Sequence, residues 1–247
     1  MKKTHITSLA LLALIGAGLV APAAAHADAL THEGTGKIIY KDSEVVPPVV
    51  DPEDPEEPID EPDPNPEVGP LMMIGISPLD FGTQDIDTFT AAQEYYATPF
   101  TTTQTNDGTE VTRPNFVQFR DLRGGANENN WTISANLTQQ FTADDGSVLN
   151  GATLEYANGH LENFDAASTY TPTNTTVGTF DLTEDGGATE VLAQAEAGKG
   201  YGNYNILFGD DTTAGDSIKL TVPANVRLTA AEYTAEITWT IADTPAP

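Results

Sequence analysis

Two tryptophan-centred tripeptides are the residues of this chain best suited to binding chemistry. Both read Trp-Thr-Ile; they begin at Trp131 and Trp239, the chain's only tryptophans, and end at Ile133 and Ile241. An indole face can stack on a sugar ring or anchor a protein interface, and it can equally fill a protein core. The core is the commoner place for a Trp that shares a strand face with aliphatic residues. Both interpretations stay open at this stage.

Acidic residues beside glycine are the second group with possible chemistry, because Ca²⁺ prefers oxygen ligands. They occur in Asp144-Asp145-Gly146, in Glu184-Asp185-Gly186-Gly187 and in Asp210-Asp211 followed by Asp216. None of them reproduces the Asp-x-Asp-x-Asp-Gly loop with its closing Glu that typifies a calcium site. We therefore interpret them as solvated acidic turns and expect neither a metal site nor another cofactor.

Catalytic groups are scarce. Cysteine is absent, and beyond the first 27 residues the histidines are His32 and His160. A Ser-His-Asp arrangement would depend on His160, which lies in an expected turn, and no nucleophile elbow, phosphate loop or zinc-ligand spacing is present. Paired carboxylates carry no information in so acidic a chain. The sequence predicts no enzyme.

The N-terminus has the three parts of a secretory leader. Lys2 and Lys3 are followed by an apolar stretch from Leu9 to Val20 and by the small-residue site Ala25-His26-Ala27. The apolar stretch is shorter than the roughly 20 residues that a membrane-spanning helix needs. We expect residues 1–27 to be a signal peptide, and a secreted mature chain without a membrane span.

The net charge restricts the partners. With 10 basic and 37 acidic residues, the formal charge is −27 at pH 7. A field of this sign repels nucleic acids and anionic lipids, so neither is an expected partner. Cationic groups and neutral sugar or protein surfaces stay available as ligands.

Composition changes sharply between Asp42 and Pro70, where 9 of the 17 prolines and 11 acidic residues occur. Proline removes backbone donors, and like charges repel. The pattern predicts a disordered, acidic, Pro-rich spacer over residues 42–70, acting either as a stalk or as a solubilising linker. The short N-terminal segment 28–41, before the spacer, is expected to be a disordered tip or an added edge strand.

Residues 71–247 have the length of one domain and show recurrent strand patterns. We expect an all-β fold, a β-sandwich or a partly open barrel, with at most one or two short helices. A helix is predicted for Thr189–Ala197, and a long loop for Tyr95–Asp107. The expected strands are Leu71–Ile76, Phe116–Leu122, Trp131–Leu137, Thr153–Tyr156, Thr176–Leu182, Asn203–Phe208, Ser217–Val222 and Tyr233–Ile241.

The order and spacing of several short motifs resemble the WxL-domain surface proteins of Gram-positive bacteria. The matching segments are Leu79-Asp80-Phe81-Gly82, Asp121-Leu122-Arg123-Gly124, Leu149-Asn150-Gly151-Ala152, Gly198-Lys199-Gly200-Tyr201-Gly202, Leu220-Thr221-Val222-Pro223 and the two Trp tripeptides. Ile133 and Ile241 stand where that family usually has Leu, a change of similar volume that suits a strand.

The resemblance implies non-covalent attachment to the cell wall, with peptidoglycan as the usual proposed ligand. A rival implication is assembly with partner surface proteins, and surface location alone allows adhesion to host matrix proteins. The candidate contacts are Trp131, Ile133, Trp239 and Ile241. The eight residues after Trp239 contain no covalent sorting signal, so we expect none to be used.

Overall fold

A computed structural model describes residues 34–41, 45–60, 65–88, 90–124, 129–184 and 191–243. The chain divides into two units, Met1–Tyr40 and Lys41–Pro247. Of the first unit the structure describes residues 34–40, which are exposed and form no regular secondary structure. The signal peptide expected at residues 1–27 lies outside the described residues.

The second unit is all-β, as the sequence predicts. Its described residues form sixteen strands and one 3₁₀ turn, Ala214–Asp216. The strands are β1 Val50–Asp51, β2 Asp54–Pro58, β3 Leu71–Ile76, β4 Gln93–Tyr96, β5 Phe100–Thr103, β6 Glu110–Arg113, β7 Asn115–Asp121, β8 Trp131–Ala143, β9 Thr153–Tyr156, β10 Gly159–Asn163, β11 Thr176–Val177, β12 Phe180–Thr183, β13 Ala193–Ala195, β14 Gly202–Phe208, β15 Ile218–Val222 and β16 Tyr233–Asp243.

The strands pair antiparallel in several separate sheets. The largest has the order β11-β10-β14-β7-β3, the next β12-β9-β15-β4, and the third β13-β8-β16. Two further pairs are β1-β2 and β5-β6. One core cluster joins residues from all three larger sheets, among them Phe119, Trp131 and Leu154. The sheets keep free edges, so the fold is an open packing of sheets rather than a closed barrel.

Period-two patterning explains the central strands. In β8 every second residue from Trp131 to Leu137 is buried, and the residues between them are only half-buried. This alternation is what a strand with one face on the core requires. Strand β7 is buried at all seven positions because neighbouring segments cover both of its faces.

The segment predicted to be a disordered spacer differs from that expectation between Val49 and Ile59. Both residues are buried, as are Val50 and Asp51, and the stretch contains β1 and β2. The Gln118 side chain of β7 donates to the Val50 carbonyl (2.6 Å) and accepts from the Val50 N–H (3.1 Å). The spacer interpretation is wrong for this stretch, because its few apolar residues face inward while most of its acids face solvent.

A buried ion pair holds the same stretch in place. The guanidinium of Arg113 donates to both carboxylate oxygens of Asp51, at 2.6 and 2.8 Å, and Gln104 donates to Asp51 Oδ2 at 2.8 Å. Burial alone raises the pKa of Asp51, but the hydrogen bonds from Arg113, the Glu53 N–H and Gln104 outweigh it. The net result is an Asp51 pKa below its usual value.

Three local predictions are corrected. The helix predicted at Thr189–Ala197 is absent where the structure describes it: Ala193–Ala195 is strand β13, paired with β8. The loop expected at Tyr95–Asp107 contains part of β4 and all of β5. The expected strand at Thr176–Leu182 is two strands in different sheets, β11 and β12. For β13, pairing with the distant strand β8 overrides a helix-favouring local composition.

Candidate functional site

The two Trp tripeptides lie on neighbouring antiparallel strands, although 108 positions separate them in the sequence. In the β8–β16 ladder Ile133 is opposite Ile241, and Ala135 is opposite Trp239. Trp131 is opposite Asp243 at the end of the ladder. The structure therefore brings the four predicted site residues onto one strand pair.

Trp131 and Ile133 are core residues, each 0% exposed. The Trp131 ring packs edge-on against Phe119 and Tyr204, with centroids 4.8 and 5.6 Å away. Its Nε1 donates to the Gly200 carbonyl at 3.1 Å, so the polar group of the buried indole is satisfied. Neither Trp131 nor Ile133 reaches a surface at which a ligand could be contacted.

Trp239 has a different neighbourhood, formed by Tyr156, Phe180 and Phe208 with ring centroids 5.9 to 6.3 Å away. It is 8% exposed, and Ile241 is half-buried. Both residues line an open groove of the domain. The second tripeptide thus borders open space, whereas the first does not.

The groove has a volume of about 1770 Å³ and lies between segments from opposite ends of the domain. One wall is β3 with the loop 77–86, and the other is β16 with the loop 228–232. Its apolar lining consists mainly of half-buried side chains, including Leu71, Met73, Leu79, Phe81, Tyr95, Leu228, Tyr233, Ile237 and Ile241.

Both strands that line the groove are edge strands. β3 pairs with β7 and is last in its sheet, while β16 pairs with β8 and is last in its own. Within the part of the chain that the structure describes, neither has a second strand partner. The groove therefore combines an apolar lining with backbone groups available at strand edges.

The charged side chains that line the groove are all acidic. They are Glu67, Asp80, Asp85 and Glu232, and no Lys, Arg or His is among the described lining residues. The Asp80 carboxylate accepts from the Gly82 N–H at 2.8 Å, which fixes part of the loop in one wall. Such a site favours a ligand with cationic groups and apolar or ring surfaces.

Arg123 ties the two Trp strands to the neighbouring sheet, a role that the sequence did not reveal. Its guanidinium bonds Asp121 at the end of β7, the Asn130 carbonyl before β8, and Asp243 at the end of β16. The hydrogen bond to Asp121 is the main cause of the raised Arg123 pKa, so the cation persists at any physiological pH. The sequence signal was the motif Asp121-Leu122-Arg123-Gly124, which identified the family but not these contacts.

The acidic turns make local hydrogen bonds. Asp145 accepts from the Ser147 N–H, which lowers the pKa of Asp145. Asp210 accepts from the Thr212 hydroxyl and from the Thr212 and Thr213 N–H groups, which lowers the pKa of Asp210 to about 2. The described residues contain no group of three His, Cys, Asp or Glu side chains placed to hold a metal. In the remaining acidic turn, Glu184-Asp185-Gly186-Gly187, residues 185–187 lie outside the described part of the chain.

Comparison with known proteins gives one match. A family model described as WxL domain surface cell wall-binding matches residues 27–245. No curated protein and no solved structure matches the chain. Among the described residues there is no helix with the length and apolar character to cross a membrane.

Proposed function

Because the chain belongs to the family of WxL domains, surface domains that bind the cell wall, we propose that it attaches non-covalently to peptidoglycan through the groove between β3 and β16. The family is a wall-binding one rather than an enzyme family, and its target is a component of the cell wall. In our proposal the protein is secreted and acts at the cell surface.

The observation that carries the proposal is the groove with Trp239 and Ile241 in its wall. Its half-buried rings, Phe81, Tyr95 and Tyr233, offer faces on which sugar rings can stack, and its carboxylates suit amino groups of a peptide stem. Trp131 and Ile133, also predicted as contacts, act in this proposal by fixing the position of β8 and hence of β16.

The test is co-sedimentation of the purified chain with peptidoglycan stripped of protein. We expect Phe81→Ala and Ile241→Ser to lower the retained fraction while circular dichroism stays unchanged. Tyr170→Ala is the matched control, since Tyr170 is 50% exposed and lies outside the groove. If all three variants are retained as well as wild type, the groove is not the binding site. If wild type itself is not retained, peptidoglycan is not the direct ligand.

Assembly with partner surface proteins is the second candidate function, and the unpaired edges of β3 and β16 favour it. Retention on the wall only after a partner protein is added would support this candidate over direct attachment.

A further inference from the structure

Over its last seven residues, Ile237–Asp243, the outer edge of β16 lacks several features that normally protect an edge strand. The strand has eleven residues, about 36 Å at the usual rise. Its register irregularities fall between Thr234 and Ile237, so Ile237–Asp243 pairs regularly with β8. This stretch contains no Lys, no Pro and no bulge, which are the devices that blunt exposed edges. An unprotected edge of this kind is a template for another strand.

The facing edge on β3 is partly occupied. The Asn65 side chain donates to the Met73 carbonyl at 2.6 Å, and the β3–β7 register shifts between Met73 and Gly75. A bulge and a capped carbonyl both disfavour strand addition. Of the two edges that line the groove, β16 is therefore the acceptor.

The groove chemistry defines the occupant. The added strand would pass half-buried apolar side chains and four acids, Glu67, Asp80, Asp85 and Glu232. An extended segment that carries both apolar and basic side chains complements such a lining. A second copy of this chain is disfavoured, since each copy carries a net charge of −27 and like-charged surfaces repel.

We propose that β16 accepts an extended segment of a partner protein in which apolar and basic residues alternate. The segment pairs with the free backbone edge of Ile237–Asp243 and completes the sheet β13-β8-β16 with a fourth strand. Main-chain hydrogen bonds supply affinity, and the alternating side chains supply selectivity. This assignment rests on the strand edges and the charges, and it holds whether or not the groove also takes peptidoglycan.

The primary test uses the full chain and a nine-residue synthetic peptide of alternating valine and lysine. Binding is followed by fluorescence anisotropy, and amide exchange is followed by mass spectrometry. We expect the peptide to bind and to slow exchange in Ile237–Asp243. A peptide N-methylated at alternate amides on the pairing side keeps charge and apolar area but loses its donors, and should bind about tenfold more weakly or worse. Equal binding of the methylated peptide would overturn strand addition.

Variants of the protein test the electrostatic half of the proposal. Glu232→Gln combined with Asp85→Asn should weaken binding of the lysine-valine peptide, because both carboxylates line the groove. Glu110→Gln is the matched control, an exposed carboxylate on β6 outside the groove. Equal losses in the groove variant and the control would contradict a site-specific role for the acids.

Three further outcomes separate this inference from its competitors. A concentration-dependent dimer in light scattering, with Ile237–Asp243 protected before any peptide is added, would overturn the partner assignment in favour of a second copy. Absence of peptide binding by a chain that still sediments with peptidoglycan would overturn strand addition alone and leave wall attachment standing. A chain that binds the peptide but does not sediment with peptidoglycan would overturn wall attachment and leave strand addition standing.

Discussion

The same tripeptide has different surroundings at its two positions. Trp131 is enclosed by Phe119, Tyr204 and the backbone at Gly200, so its indole is a structural group. Trp239 shares its strand pair but stands at the border of the groove. A sequence pattern identifies both as inward-facing, and only the packing of the remaining sheets decides which one lies near open space.

Gly200 tests how tightly the structure encloses Trp131. Its φ is +82°, and a Cβ there would lie 2.4 Å from the Asn129 carbonyl oxygen and 2.5 Å from Trp131 Nε1. We expect Gly200→Ala to lower the free energy of unfolding by at least about 1–3 kcal/mol from backbone strain, and further from displacement of the indole. Urea unfolding monitored by Trp fluorescence measures the loss.

The matched control is Gly215→Ala, since Gly215 is an exposed residue of the 3₁₀ turn and an added Cβ there meets nothing within 4 Å. We expect its midpoint to stay close to that of wild type. Similar losses at Gly200 and Gly215 would show that the close contacts at Trp131 are not what makes Gly200 necessary.

Asp51 makes stability depend on pH in the acid range. Its folded-state pKa lies below the usual value, so the unfolded chain binds a proton more readily than the folded one. The stabilisation is complete above the ordinary pKa of about 3.9 and is lost as pH falls through the lowered folded value. Urea unfolding of wild type should therefore show stability declining below about pH 4.

In the variant Asp51→Asn that contribution to the acid decline should disappear. At pH 7 the variant should be less stable by on the order of 2 to 3 kcal/mol, because Arg113 loses its buried carboxylate partner. An Asp51→Asn protein with wild-type stability at pH 7 would contradict the role assigned to this ion pair.

Several strands were predictable as elements, either from alternation or from a continuous apolar run. Leu71–Ile76 and Thr153–Tyr156 were predicted at their observed bounds, and the predicted strand from Tyr233 ends two residues short of β16. Strand β13 was missed since Ala193–Ala195 has helix-favouring composition and becomes a strand only by pairing with β8. Segment 49–60 was missed because proline and charge dominate its composition, whereas its packing depends on a few apolar residues and one ion pair.

Gln118 gives an element-level test of how that segment is attached. Its side chain is 0% exposed and makes both hydrogen bonds to the Val50 backbone. We expect Gln118→Ala to destabilise the fold by about 1–3 kcal/mol, the cost of leaving buried backbone groups unpaired. The same variant should speed amide exchange between Val49 and Ile59 more than elsewhere.

Gln194→Ala is the control for this measurement, since Gln194 is exposed on the three-residue strand β13. Its exchange pattern in residues 49–59 should match wild type. Uniform acceleration over the whole domain in Gln118→Ala would indicate general destabilisation rather than release of one segment.

At the scale of the whole molecule the site combines parts that are distant in the sequence. The Leu79-Asp80-Phe81-Gly82 segment and the β16 strand lie at opposite ends of the domain, yet both line one groove. Local patterns predicted each part, including Trp239 and Ile241 as candidate contacts. No local pattern states that two sheets leave their edges unpaired at the same place, so the groove itself could not be predicted.

Net charge gives a prediction that separates folding from binding. With 37 acidic and 10 basic residues, the folded chain repels itself, and salt screens that repulsion. We expect the melting temperature to rise between about 10 mM and 500 mM NaCl, over which the Debye length falls from about 30 Å to a few Å.

The attraction between the groove acids and a basic strand is screened by the same salt, so affinity for the lysine-valine peptide should fall over this range. Thermal melts and anisotropy titrations in one buffer series measure both quantities. Opposite slopes are expected because salt screens both the repulsion across the whole acidic chain and the attraction of the groove acids for the ligand. An affinity that rises with salt would mean that apolar contacts alone drive binding in the groove.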